Sequence, residues 1–143
     1  VEQSKPQSAI KEVIRSLYGD EYADKYIHYS YELVSLSKRS VENYFKITVD
    51  SERVKMSGRR GIYFNVDDVI DKMIENVLEH MKENGITVSD EKARVIAEKV
   101  SISSLKYSLL SLDRDKVVNF DIDRSLDVSR ESGAYILYSY VRA

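Results

Sequence analysis

A stripe of apolar residues between positions 66 and 81 constrains the fold of this chain most. Its members recur three and four positions apart, as on one face of an α-helix: Val66, Val69, Ile70, Met73, Ile74, Val77 and Met81. Asn65 or Asp67 can cap the start, and Gly85 follows the end. The pattern predicts a helix of about four turns that buries one face.

The first 20 residues carry a second amphipathic pattern. It starts at Pro6, the only proline in the chain, and Gly19 suits its C-terminal cap. The apolar positions are Ile10, Val13, Ile14 and Leu17. This spacing again predicts an amphipathic helix.

Two more helices are predicted in the second half of the chain. Ser89 or Asp90 caps the first, which runs through a serine-rich middle to Leu112. The second runs from about Ser132 to Val141 and is apolar on nearly every side. Because that helix stops without a cap or glycine, and the chain does not start with methionine, we expect a piece of a longer protein.

Strands are predicted from alternation and from loop signals. Residues 27–33 alternate apolar with polar side chains, which predicts the clearest strand of the chain, with one face buried. A short helix is expected at 38–45, a short strand at 46–49, and a strand or extended loop at 116–121. The polar stretch 50–61, which contains glycines, is expected to be a mobile loop.

Composition excludes several classes of function. The 143 residues include 22 basic and 24 acidic side chains, a net charge of -2, which argues against a uniformly basic nucleic-acid binder. Cysteine is absent, so disulfides and thiolate chemistry are excluded, and two histidines cannot form a histidine-rich metal cluster. Neither a signal peptide nor an apolar run of membrane-spanning length occurs, so we expect a cytoplasmic protein with no membrane association.

Positive charge is concentrated between residues 38 and 60, a window that contains seven basic and three acidic residues. Within this window, residues 55–61 combine two glycines, a serine and three cations. Glycine lets the backbone approach an anion closely, and arginine binds phosphate oxygens bidentately. The loop therefore suits phosphate, although its composition also fits an ordinary solvated basic turn.

This loop resembles the KMSKS loop of class I aminoacyl-tRNA synthetases, and its surroundings are similar to those of arginyl-tRNA synthetases. The similar segments occur in that family's order and spacing: 1–7, 66–71, 105–107, 112–116, 120–124 and 133–138. The likeness covers essentially the whole chain and is weakest between 37 and 53. Because several motifs agree in order and spacing, they support the family resemblance far more strongly than a single short loop does.

The resemblance implies an α/β to mainly α fold in two parts. Residues 1–61 would end a Rossmann-like nucleotide-binding domain, with a helix and a parallel strand before the loop. Residues 62–143 would form a helical region that contacts the tRNA stem. The implied activity is that of an arginine-tRNA ligase, which activates arginine with ATP and Mg²⁺ and transfers it to its tRNA.

The resemblance also places ATP phosphates against the KMSKS-like loop. The catalytic residues would be Lys55, Ser57 and Arg59. The full ATP-binding set would be Lys55, Met56, Ser57, Gly58, Arg59, Arg60 and Gly61. Gly58 stands where the motif has its second lysine, so Arg59 or Arg60 must supply that charge.

Further expectations concern the substrate, the tRNA and the rest of the enzyme. Gln3 matches a glutamine at the end of a catalytic strand and would contact the arginine or its adenylate. Four cations are expected at the tRNA backbone: Lys106, Arg114, Lys116 and Arg124. Because His28 and His80 both lack the His-x-Gly-His context of the HIGH motif, this chain alone is expected to be inactive. The HIGH-bearing and anticodon-binding parts of the same enzyme would be its partners.

The main alternative is a synthetase-like module without catalysis that binds tRNA or another partner. Individual side chains also have structural interpretations. Helix capping is favoured over magnesium binding for Asp67, Asp68 and Asp71. Turns and caps are favoured over acid-base pairs for Asp113, Asp115, Asp121 and Asp123. The tyrosines at 29–31 and 135–140 are expected to be mostly core, and His80 is expected to be exposed.

Overall fold

The computed structural model describes residues 3–54 and 63–143, which are mainly helical with one small sheet. The helices are α1 (Ser4–Tyr18), α2 (Asp20–Lys25), α3 (Lys38–Phe45), α4 (Val66–Glu83), α5 (Asp90–Leu110), α6 (Ile122–Leu126) and α7 (Gly133–Arg142). The strands are β1 (Val34–Ser37), β2 (Arg53–Val54) and β3 (Val118–Phe120). Two compact units result: unit 1 is Val1–Leu33 with Asp113–Val117, and unit 2 is Val34–Leu112 with Val118–Ala143.

Unit 1 begins with the predicted N-terminal helix, which is confirmed as α1. It ends at Gly19, whose φ of 86° and ψ of 174° belong to a region that is open essentially to glycine alone. The short helix α2 follows, and apolar spacing does not predict it. The distribution of charge does indicate this helix. Asp20 and Glu21 lie in its first turn and Lys25 in its last, where each charge interacts favourably with the helix dipole.

The strand predicted at 27–33 is wrong. Ile27 is 82% exposed, Tyr29 68% and Tyr31 69%, whereas the polar residues between them are half-buried, so the alternation is real but its apolar side faces outward. The described part of unit 1 contains no strand to pair with this segment. Among residues 3–54 and 63–143, one backbone bond to another segment holds it, from Glu32 N–H to Arg114 O at 2.9 Å, whereas a ladder needs a series of such bonds.

Unit 2 contains the sheet, in the order β2-β1-β3. The central strand β1 pairs antiparallel with β2 and parallel with β3. The strand or extended loop predicted at 116–121 is confirmed as β3. The short strand predicted at 46–49 is wrong, because Lys46 closes α3 in the left-handed region at φ 58° and the chain joins the sheet only at Arg53.

The remaining helix predictions are confirmed in unit 2. α3 covers residues 38–45 as predicted, and α4, α5 and α7 occupy their predicted positions. Asn65 rather than Asp67 caps α4, in a reciprocal capping box with Asp68. Ser89 and Ser132 cap α5 and α7, each accepting the backbone N–H three residues on. The short helix α6 was not predicted.

The core of unit 2 lies between the sheet and α3, α4, α5 and α6. Its buried members are Leu36, Val41, Val54, Phe64, Val69, Met73, Leu105, Phe120 and Ile122. α7 packs closely on α5, because a Cβ at Gly133 would lie 2.4 Å from Ser104 Cα. The small buried residues Ser101 and Ser104 make room for this approach.

The expectation that the tyrosines are mostly core is wrong for both predicted clusters. Tyr135, Tyr138 and Tyr140 on α7 are exposed, as are Tyr29 and Tyr31 in unit 1. Two of these rings lie beside a cation rather than in a core, with Arg114 5.5 Å from the Tyr29 ring centroid and Arg142 5.5 Å from that of Tyr138. Among the described residues, no helix combines the length and apolarity needed to cross a membrane.

Candidate functional site

The KMSKS-like loop itself lies outside the described residues. This applies to Lys55, Met56, Ser57, Gly58, Arg59, Arg60 and Gly61, so their predicted roles stay predictions. The structure does describe the residues that precede and follow the loop. These define how both of its ends are held.

The chain enters the loop from β2, which is held by β1. Leu36 pairs with Val54 and Ser37 with Arg53, and Lys38 N–H donates to Glu52 O at 3.2 Å. Val54 is buried in the core of unit 2. The last described residue before the loop is therefore fixed by both backbone pairing and apolar packing.

The chain leaves the loop through a second core residue. Phe64 is buried and its ring lies 4.5 Å, centroid to centroid, from that of Phe45 on α3. Asn65 then starts α4 directly. Because Val54 and Phe64 belong to the same apolar cluster, both ends of the loop are fixed to one core.

Two helix caps are joined to each other at Ser37, the last residue of β1. Ser37 Oγ accepts from Ser40 N–H at 3.1 Å and donates to Asp121 Oδ2 at 2.6 Å. Asp121 Oδ1 in turn accepts from Arg124 N–H at 2.9 Å, and Ser40 Oγ accepts from Ile122 N–H at 2.9 Å. The starts of α3 and α6 are thereby connected across more than 80 positions of sequence.

A second polar cluster joins α3, α4 and α6. Tyr44 OH donates to Asp123 and accepts from Asn76 Nδ2, which lies 2.5 Å away. Arg39 Nε contacts the other oxygen of Asp123 at 2.9 Å. Burial, and then the hydrogen bond to Asp123, raise the pKa of Tyr44 above its ordinary value, so this phenol stays a donor at neutral pH.

An open cavity of about 800 Å³ lies in unit 2 between α4, α6 and the start of α7. Its apolar lining includes Val77, Met81 and Leu126. Cations also line it, of which Arg39 is paired with Asp123, and Arg130 with Asp127 at 3.1 Å. Both partner carboxylates line the cavity as well, so it contains charges of both signs and presents no uniform attraction for an anion.

The four cations predicted at the tRNA divide between the two units. Lys106 on α5 and Arg124 on α6 are exposed in unit 2. Arg114 and Lys116 are exposed in unit 1, where Arg114 lies 5.5 Å from the Tyr29 ring centroid. Lys116 pairs with Asp113 at 2.9 Å, and this hydrogen bond raises the pKa of its ammonium group.

Gln3 lies exposed at the start of α1, and its carbonyl accepts from Gln7 N–H. The structural roles predicted for the acidic residues are confirmed for Asp68 and Asp121, which take part in helix caps. His80 is exposed, as predicted. Sequence reasoning missed Ser37 and Ser40, although a serine such as Ser37 directly before a helix is a capping signal.

Comparisons with known proteins give one consistent result. The chain is 37% identical to the arginine-tRNA ligase of Korarchaeum cryptofilum over 99% of its own length and 19% of that protein. It is 32% identical to the ligases of Pyrobaculum islandicum and Pyrococcus abyssi, again over 99% of its own length. The chain thus spans about one fifth of the length of these relatives. No family model matches it.

The fold agrees with the sequence comparison. The structure of Thermus thermophilus arginyl-tRNA synthetase matches 99% of the chain with a TM-score of 0.74 at 20% identity, using 20% of that larger chain. At this identity the match establishes the fold alone. The resemblance seen in the sequence motifs is thus confirmed over nearly the whole chain.

Proposed function

We propose that this chain is a segment of an arginine-tRNA ligase and that it holds the loop that acts on the phosphates of ATP. The observation that carries this proposal is similarity to curated arginine-tRNA ligases over 99% of the chain. The complete reaction joins the carboxylate of arginine to the α-phosphate of ATP with release of pyrophosphate, and then passes the arginyl group to tRNA with release of AMP. Since the chain spans one fifth of these relatives, the other parts of the site come from elsewhere in such an enzyme.

Lys55, Ser57 and Arg59 bind the phosphates in this proposal. Negative charge grows on the β- and γ-phosphates as pyrophosphate leaves, and fixed cations and donors stabilise that charge. Met56, Gly58, Arg60 and Gly61 complete the binding set. Two features of the described residues support this role: the loop is flanked by core residues on both sides, and its entry strand is paired to the centre of the sheet.

In this proposal, Mg²⁺ is bound mainly by the phosphates of the nucleotide rather than by a set of protein ligands. Mg²⁺ keeps several waters and binds phosphate oxygens with one or two carboxylates at most. Within residues 3–54 and 63–143, no group of three acidic or histidine side chains is placed to hold a metal. The ion then arrives as part of MgATP, and the loop cations share the charge of the same phosphates.

The two halves of the chain take different tasks in this proposal. Residues 1–61 end the nucleotide-binding domain, with Gln3 near the arginine, and residues 62–143 face the tRNA stem. The tRNA contacts are ionic and independent of base sequence, through Lys106, Arg114, Lys116 and Arg124. The HIGH-bearing and anticodon-binding parts belong to the remaining length of such a ligase, which works in the cytoplasm.

The test transplants this chain into the ligase of Korarchaeum cryptofilum, in place of its matching segment, and measures exchange of pyrophosphate into ATP. We expect exchange that depends on arginine. Replacing Lys55→Ala together with Arg59→Ala should slow exchange by about 10²-fold or more, the typical effect of losing donors to the transition state.

The matched control replaces two exposed cations on α4 and α5, Lys82→Ala with Arg94→Ala, and should leave exchange unchanged. A transplanted enzyme that melts cooperatively yet shows no exchange with arginine would refute the ligase proposal. If it then still binds tRNA, the alternative of a binding module without catalysis gains support. Equal exchange in both double variants would refute the assignment of the loop residues alone.

A further inference from the structure

We propose that Asp121 is a positioning residue for adenylate formation, acting through Ser37 on the strand pair that leads into the KMSKS-like loop. This inference rests on the proposed function. Within the described residues, Asp121 forms no hydrogen bond to β2. Its action passes through one hydrogen bond to β1 and from there through the β1–β2 pairing.

Ser37 is the residue at which these connections meet. Its backbone is paired with Arg53, one position before the last described residue of β2. Its hydroxyl accepts from Ser40 N–H and donates to Asp121 Oδ2. The same side chain therefore sets the start of α3, the end of β1 and the distance from β1 to α6.

The bond between Ser37 and Asp121 is of the strong type. Its length of 2.6 Å lies in the range of a hydroxyl that donates to an ionised carboxylate, which is about twice as strong as a neutral pair. Ser37 is 9% exposed and Ser40 is fully buried, while Ser37 and Asp121 both line the open cavity of unit 2. Water and the Ser40 hydroxyl, whose Oγ lies 3.0 Å from Ser37 Oγ, are neutral acceptors and therefore weaker replacements for the carboxylate. Removing the carboxylate would leave the Ser37 hydroxyl without its anionic acceptor.

The strand pair depends on this connection because it is very short. β2 contributes only Arg53 and Val54, and one further backbone bond joins Lys38 to Glu52. A ladder of two residues has little stability of its own, so its geometry follows that of β1. A shift of about 1 Å in a group that acts on substrate can cost about 10²-fold in rate.

The experiment uses the Korarchaeum cryptofilum ligase that carries this chain in place of its matching segment. It measures kcat and the KM values for ATP and arginine in pyrophosphate exchange, together with the melting temperature of each variant. Asp121→Ala should lower kcat about tenfold to hundredfold, leaving KM for arginine unchanged. Asp121→Asn keeps one neutral acceptor oxygen, which can serve either the Ser37 hydroxyl or the Arg124 N–H, and should recover part of the loss. The control is Asp127→Ala, which removes a carboxylate bonded to Ser129 and Arg130 but not to β1.

The positioning role is overturned if Asp121→Ala and Asp127→Ala lower kcat equally, or if the loss follows the melting temperature and Asn fails to restore it. A parent transplant without arginine-dependent exchange refutes the proposed function instead. The effect of Asp121 on the β1–β2 pairing is then measured in the 143-residue chain by hydrogen exchange of the Lys38 amide, which donates to Glu52 O. Asp121→Ala should accelerate that exchange at least tenfold, and an unchanged rate overturns the inference.

Discussion

Units 1 and 2 contain helices with the same apolar spacing and very different burial. In α4, Val69 and Met73 are 6% and 0% exposed, whereas Val13 and Leu17 of α1 are 57% and 68% exposed. Both helices carry three- and four-residue spacing of apolar side chains. The spacing thus identifies which face of a helix is apolar, but it does not say whether the residues that cover this face lie in the same chain.

The difference also bears on where function resides. Unit 2 has a connected core that fixes both ends of the KMSKS-like loop. Unit 1 has one buried apolar residue in its described part, Ala23, and keeps apolar side chains of α1 and of 27–33 at its surface. Unit 2 is therefore the part whose geometry can determine how the loop is presented. Four predictions probe this contrast, in order of decreasing effect.

The largest effect is expected from truncating a core side chain of unit 2. Met73→Ala should lower the free energy of unfolding by about 2–5 kcal/mol, because Met73 is fully buried and its loss leaves a cavity. Leu17→Ala in α1 should change it by less than about 0.5 kcal/mol. Urea unfolding of both variants measures the difference, and equal losses would contradict the contrast between the units.

A smaller effect is expected where α7 packs on α5. Gly133→Ala forces a Cβ to within 2.4 Å of Ser104 Cα, and overpacking of this kind costs about 1–3 kcal/mol. Ser139→Ala, at an exposed position of the same helix, is the control and should be nearly neutral. Thermal unfolding followed by circular dichroism compares the two. A neutral Gly133→Ala would show that the helices separate easily.

Tyr44 should make the free energy of unfolding of unit 2 depend on pH in the alkaline range. Its pKa is raised in the folded state above the unfolded value of about 10, so its contribution is complete below pH 10 and is lost as pH rises further. Tyr44→Phe should cost about 1 kcal/mol at pH 7 and flatten the fall in stability above pH 10. The control is Tyr22→Phe in unit 1, an exposed tyrosine, which should preserve the wild-type slope. Identical slopes for both variants would contradict the assignment.

The smallest effect concerns the contact between Arg114 and Tyr29 in unit 1. A guanidinium 5.5 Å from an exposed ring contributes about 0.5–1 kcal/mol. A double-mutant cycle with Arg114→Ala and Tyr29→Leu should give a coupling energy in that range by urea unfolding. A coupling above about 2 kcal/mol would mean that unit 1 is held far more tightly than its exposed surface indicates.

Much of the helical structure was predictable from sequence, because helices of eight residues or more display several turns of spacing and a recognisable cap. Strands β1 and β2 were not, since they contain four and two residues and are defined by partners elsewhere in the sequence. The hydrogen bond between Ser37 and Asp121 could not be predicted for the same reason, because the two residues lie far apart in the sequence. Each residue carries a local capping signal, but nothing local shows that the two caps meet.

The candidate site was predictable only in part. The composition of residues 55–61 predicts a phosphate-binding loop, and that assignment stays a prediction. The surrounding motifs predicted the family likeness, which the comparisons then matched over 99% of the chain. Phe64, Val54 and Ser37 escaped notice because their importance comes from packing and register. Lone apolar or serine residues in a sequence carry no sign of either.

The central claim is that unit 2 presents the loop to the phosphates of ATP, and a titration of the 143-residue chain with MgATP tests it most directly. Amide NMR signals of residues 53–65 should shift while those of α1 and 27–33 stay in place, and Lys55→Ala with Arg59→Ala should abolish the shifts. Shifts centred on unit 1, or a response that survives the double substitution, would contradict the account.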